Sequence, residues 1–170
     1  MPVSERAMQS FTLGVFVCAL FWVVFSAGAM AAEKTMIRLG GDLGHSDLAG
    51  ITIEQIEALG LAEVEVFNPD ERRVATYQGV WLNDIVAGFG TGQTQNISMT
   101  AIDFYQASFD REEWEQLRIL LATREDGAHI EVDRKGPIRV IFADYNPEER
   151  AYQETIGKWI WMVNKIDFSD

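Results

Sequence analysis

Cysteine is almost absent from this chain: Cys18 is the only one in 170 residues. Histidine is nearly as scarce, with two, and basic side chains number 14 against 26 acidic, for a formal net charge of -12. A lone cysteine forms no internal disulfide and no multi-thiolate metal site. His45 and His129 have neither the spacing of a zinc motif nor that of a hydrolase triad. His45 shares a Gly-rich segment with Asp42 and Asp47, which reads as a solvated loop. The acidic balance excludes nucleic acid as a partner, because binding it needs a concentrated basic surface. It disfavours an anionic lipid surface for the same reason. What is present is a core: 48% of the chain is hydrophobic, which excludes a disordered tail, a collagen-like repeat and a coiled coil.

Phe11 to Ala32 carries no charged side chain and follows a short polar start containing Arg6. A polar n-region, an apolar h-region and small residues at Ala29-Met30-Ala31 make a secretory signal peptide. We place the cut after Ala31, with Ala27-Gly28-Ala29 as the second choice. Residues 1–31 are then a leader and 32–170 a single domain, periplasmic or secreted, with no stable membrane insertion after cleavage. The uncharged run is also long enough to cross a bilayer, so an uncleaved anchor is the alternative. Cys18 lies inside the h-region without a lipoprotein motif, and a cleaved chain has no thiol at all.

Met36 to Leu39 reads as a strand followed by a polar loop. Thr52 and Gln55 form a capping box opening a helix with Ile53, Ile56 and Leu59 on one face. Ala62 to Phe67 alternates as a half-buried strand, stopped by Asn68-Pro69-Asp70, and Arg72 to Tyr77 is its return. A short helix follows, either capped by Asn83 or presenting Leu82, Ile85, Val86 and Phe89. Asn96 to Ala101 is extended. Asp110 starts a helix with acidic residues in its first turn and Trp114, Leu117 and Leu121 inside; Ile119 to Thr123 is its end or a strand. Ile130 to Asp133 and Ile138 to Phe142 read as strands around Lys135-Gly136-Pro137. Glu148 to Glu154 is a polar helix or turn, and Trp159 to Ile166 is strand-like. Short strands, short helices and Gly-marked turns predict an α+β domain with largely antiparallel strands, since regular crossover helices are missing.

Several segments, in order, resemble one known family. Tyr77-Gln78-Gly79-Val80-Trp81-Leu82-Asn83-Asp84-Ile85 is similar to the "Y-x-G-V-x-L-x-D" stretch of the molybdopterin-binding domain of sulfite oxidase-like oxidoreductases. Ile53 to Leu59 resembles that family's helix before a strand like Glu63 to Val66. Ala101 to Tyr105 resembles its "A-x-D-x-Y" strand, Lys135 to Val140 its "GP-hydrophobic-R" stretch, and Lys158-Trp159 its terminal Lys-Trp pair. The resemblance covers roughly Met36 to Ile166 and implies a sulfite oxidase-type molybdopterin-binding fold, in a short single-domain branch. It also implies a cysteine in the stretch matched by Val66 to Asp70, donating a thiolate to molybdenum. Here that stretch has none, and the oxygens of Asn68 and Asp70 do not replace a soft thiolate.

From the same resemblance, Arg139 and Lys158 are the candidates for an anion or pterin-phosphate site. Arg134, Lys135, Arg72 and Arg73 add charge nearby, and the sequence does not show whether they converge. Asp103 and Tyr105 match a strand bordering the family's cofactor cleft, and Trp81 is placed at the cleft mouth as a ligand or partner contact. Trp159 is assigned to the core, with Leu82, Ile85, Leu117, Val140 and Ile166. The expectation is an exported, non-catalytic sensory or accessory module with no cofactor, taking a small molecule or a periplasmic or membrane protein partner. Its alternatives are a molybdopterin-dependent oxidoreductase or subunit, binding the pterin without a protein thiolate, and an interaction protein with a closed cleft.

Overall fold

The structure, a computed structural model, describes residues 35–170, all within the unit Glu33–Asp170. The expected leader, both candidate cleavage sites and Cys18 lie outside the described residues. Ten strands and four short helices follow in order: β1 Met36–Gly41, β2 Gly50–Thr52, α1 Ile53–Glu57, β3 Ala62–Asn68, β4 Arg73–Trp81, α2 Leu82–Phe89, β5 Asn96–Ala101, β6 Gln106–Asp110, α3 Arg111–Gln116, β7 Ile119–Glu125, β8 Ala128–His129, β9 Arg139–Phe142, α4 Arg150–Gln153 and β10 Val163–Ser169. One sheet has the order β2-β1-β10-β5-β6; the other runs β3-β4-β7-β8, with β9 also paired to β7. Every pairing is antiparallel except that of β1 with β10. This is the α+β, largely antiparallel arrangement that the short elements predict.

Local chemistry accounts for two of the helix starts. Thr52 accepts from the N–H of Gln55 while the Gln55 side chain answers to Thr52, and Asp110 and Glu113 repeat the capping box at α3. Helix α2 begins without a side-chain cap: Trp81 is its N-cap and Asn83 is exposed, so the apolar-face reading of this helix holds. β4 bulges between Gln78 and Gly79 where it meets β7. A Cβ at Gly79 would overlap the backbone of Leu121 and Ala122, so this close approach admits only glycine.

Four expectations are corrected. Leu121 is not on the inner face of α3, because Leu117 turns extended (φ -104, ψ 137) and Leu121 lies in β7. Leu117 is itself only partly buried against the core. Ile130 to Asp133 is not a strand: Ile130 is buried, but Val132–Arg134 is a 3-10 turn. The last strand starts at Val163 rather than Trp159, since Met162 takes a left-handed conformation at φ 56. Strands β2, β6 and β8 are additions, the first at the end of the polar loop and running into the Thr52 cap.

One core draws on both sheets and the helices between them. Leu82, Ile85, Val140 and Ile166 are all at most 1% exposed, and Trp159 packs against Phe142 and Tyr145.

Candidate functional site

Asn68 ends β3 in the stretch matched to the family's cysteine, and it is fully buried. Its Oδ1 accepts from the N–H groups of Asp70 (2.9 Å) and Glu71 (3.2 Å), which closes the turn into β4. Its Nδ2 donates to the Tyr77 hydroxyl at 2.8 Å, and that hydroxyl donates to Glu125 Oε1 at 3.2 Å. The β4–β7 register sets Tyr77 directly opposite Glu125, and the β7–β9 register brings Arg139 opposite Ala122.

Glu125 is the hub of a buried charge cluster, its side chain only 2% exposed. Arg73 pairs with Oε1, Arg134 donates to Oε2 at 3.0 Å, and Arg139 stands 3.7 Å from Oε2. Glu71 completes the set by accepting from Arg73 Nε at 2.9 Å and Arg139 Nη1 at 2.7 Å. Asp126 lies 3.4 Å from Arg73. Three guanidinium groups thus meet three carboxylates, and the two buried members, Arg139 and Glu125, each have an oppositely charged partner, as burial of charge demands. Burial works to raise the Glu71 carboxyl, but the hydrogen bonds and charges of Arg139 and Arg73 outweigh it and leave it below its usual value. Burial pushes the Tyr77 hydroxyl up to about 12.

A second feature is an open cleft of about 260 Å³ between the β5–β6 turn and the segment preceding β10. Asp103, Tyr105, Ile156, Gly157, Trp159 and Trp161 line it. Tyr105 closes one wall by donating its hydroxyl to the Gly157 carbonyl at 2.6 Å, while Asp103 Oδ1 accepts from the Tyr105 N–H at 3.0 Å. Trp161 also carries Lys135 over its ring, with Nζ 4.5 Å from the ring centre and Lys135 paired to Asp70.

The five residues singled out from the sequence do not form one site. Asp103 and Tyr105 share this cleft. Arg139, 3% exposed, is consumed by Glu71 and Glu125 and stacks 5.5 Å from the Tyr77 ring. Lys158 pairs with Glu113 beside a different, acidic depression that includes Asp110 and Glu112. Trp81 is half-buried under the Arg118 guanidinium, 4.6 Å from its ring centre, in a third depression. Of the six basic residues considered, Arg73, Arg134 and Arg139 do converge, but on carboxylates of this chain. Sequence reasoning missed Glu125, Glu71 and Tyr77. The signal for Glu125 was an acid closing an apolar run, ILLATRE, with no room for a solvated face.

No protein-family model matches the sequence, and no curated protein matches it. Solved structures do match. The sulfane dehydrogenase SoxCD from Paracoccus pantotrophus superposes with a TM-score of 0.56 at 12% identity, over 80% of this chain and 38% of that one. The chain therefore has the topology of a sulfite oxidase-type molybdopterin-binding domain, as a distant structural relative at the level of fold. It spans well under half the length of that dehydrogenase chain.

The residues at hand do not fit a thiolate-ligated molybdenum. The described residues contain no cysteine, and Asn68 offers a neutral amide whose oxygen and nitrogen are already committed. Among the described residues, no three His, Cys, Asp or Glu side chains gather as a metal site. The two cations expected to hold a phosphate have no partner in common, and each is turned to an internal carboxylate.

Proposed function

We propose that this protein is an exported, non-catalytic binding module that uses a molybdopterin-oxidoreductase-like fold as a scaffold. The observation that carries the reading is Asn68. Within the stretch Val66 to Asp70, which resembles the one that carries the family's metal-ligating cysteine, this side chain is buried and spends its hydrogen bonds on the turn and on Tyr77. The arginines that could have held an anionic cofactor are neutralised from within. Binding then falls to the cleft beside Tyr105 and Trp161, which takes a small ligand or part of a partner. The redox chemistry named for the sulfane dehydrogenase is not carried over, because fold alone does not transmit activity.

The test is to produce the full chain in a host that makes molybdopterin and assay the purified protein for bound pterin by its fluorescent oxidation product. The expected result is pterin far below one per chain, with no reduction of an artificial electron acceptor by sulfur oxyanions. Stoichiometric pterin with substrate-dependent electron transfer would establish the oxidoreductase alternative.

A further inference from the structure

Resting on the binding role just proposed, we infer that the Tyr105–Trp161 cleft and its rim dock a protein segment presenting an arginine or lysine flanked by apolar residues. Size comes first. At about 260 Å³ the cleft is smaller than most small-molecule pockets, which run from about 300 to 1,000 Å³, and it suits one inserted side chain. The rim is the second observation. Ile102, Phe104 and Ile156 are 42%, 85% and 52% exposed beside the cleft, an apolar surplus that a small ligand inside it does not need and that marks a docking face.

Phe104 is the third and most specific. It sits at the β5–β6 turn with φ 69, a left-handed conformation natural for glycine and uncommon for an aromatic residue. No packing compensates, since most of the side chain is in solvent. An aromatic held out at a backbone cost points to use.

Charge selects the partner. The neighbouring cations are satisfied: Lys135, over the Trp161 ring, by Asp70, and Lys158, next to Gly157, by Glu113. Asp103 is exposed and, among the described residues, has no ion pair; its one hydrogen bond comes from the Tyr105 N–H. An acid beside the Tyr105 and Trp161 rings is the chemistry that receives a cationic group with an apolar stem. A second copy would bring another Asp103 and the same acidic excess, so like charge opposes self-pairing through this face.

The experiment is selection of a random phage-displayed heptapeptide library on the natively purified chain, followed by affinity measurement of the selected peptide on variants. Enriched peptides should share an Arg or Lys next to an apolar residue. Asp103→Asn keeps the oxygen that accepts from Tyr105 and removes only the charge; it should weaken the peptide about tenfold. Gly157→Leu should block binding, because a Cβ there meets nothing nearer than the Tyr105 hydroxyl at 3.7 Å and the side chain extends into the cleft. Phe104→Gly should weaken binding while melting no lower than the parent. Circular dichroism confirms that each variant folds. The inference is overturned by no enrichment, by an acidic or uncharged consensus, or by a peptide indifferent to all three variants. It is also overturned if tetramethylammonium displaces the peptide at comparable affinity, or if the parent chain self-associates through Phe104. Any of these leaves the pterin assay of the preceding reading standing on its own.

Discussion

Tyr77 holds its hydroxyl between the Asn68 amide and the Glu125 carboxylate with no exposed surface, and this arrangement has a measurable pH signature. The unfolded chain ionises the phenol near pH 10, whereas the folded chain resists until about 12. Stability contributed here is therefore complete below pH 10 and is lost as pH rises to 12, by roughly 2 kcal/mol. Chemical unfolding at pH 7 and pH 11.5 should show that extra loss in the parent. Tyr77→Phe should lack it while costing about 1–3 kcal/mol at neutral pH, because the buried Asn68 amide loses its acceptor, although Glu125 keeps its arginines. Glu71 works in the opposite direction. Its lowered carboxyl contributes stability that is present above its ordinary 4.5 and lost as pH falls through the depressed value, so Glu71→Gln should show a shallower acid decline. Removing the charge of the hub is the third change. Glu125→Gln removes the central carboxylate while Arg139 and Arg73 keep Glu71 and Arg134 is half exposed, and guanidinium unfolding should register a loss of about 1–3 kcal/mol.

At the scale of elements, β4 depends on Gly79, where β7 comes too close for any side chain. Gly79→Ala should cost about 1–3 kcal/mol in denaturant unfolding, through separation of the β4–β7 pair. Asp110→Ala should cost about 0.5–2 kcal/mol, because the Glu113 N–H loses its side-chain acceptor while the backbone N–H of residue 110 keeps its bond to Glu113. These starts were legible in the sequence because a cap is a local event. The end of α3 was not, since Leu117 and Leu121 keep helical spacing and the buried run Ile119 to Ala122 satisfies a strand equally well. The strand β6 was readable from the alternation of buried Ala107 and Phe109 with exposed Gln106, Ser108 and Asp110, but its short reach hid it. The charge cluster could not be read locally. Arg73 and Glu125 are 52 residues apart and meet only through sheet register, so Arg139 looked like an open phosphate contact instead of half of an internal pair.

For the whole molecule, the uncharged run from Phe11 to Ala32 sets an expectation outside the described residues, a cleaved leader. Mass spectrometry of the protein from its native compartment should show a chain beginning at Ala32; a full-length species confined to membranes would restore the anchor reading. On the proposed reading, this chain uses the fold as a scaffold without a protein thiolate for a metal. The most direct measurement is the molybdenum-to-chain ratio of that native protein by inductively coupled plasma mass spectrometry. Our account predicts a ratio indistinguishable from background, unchanged when the host is supplied with molybdate. A ratio near one atom per chain would contradict it.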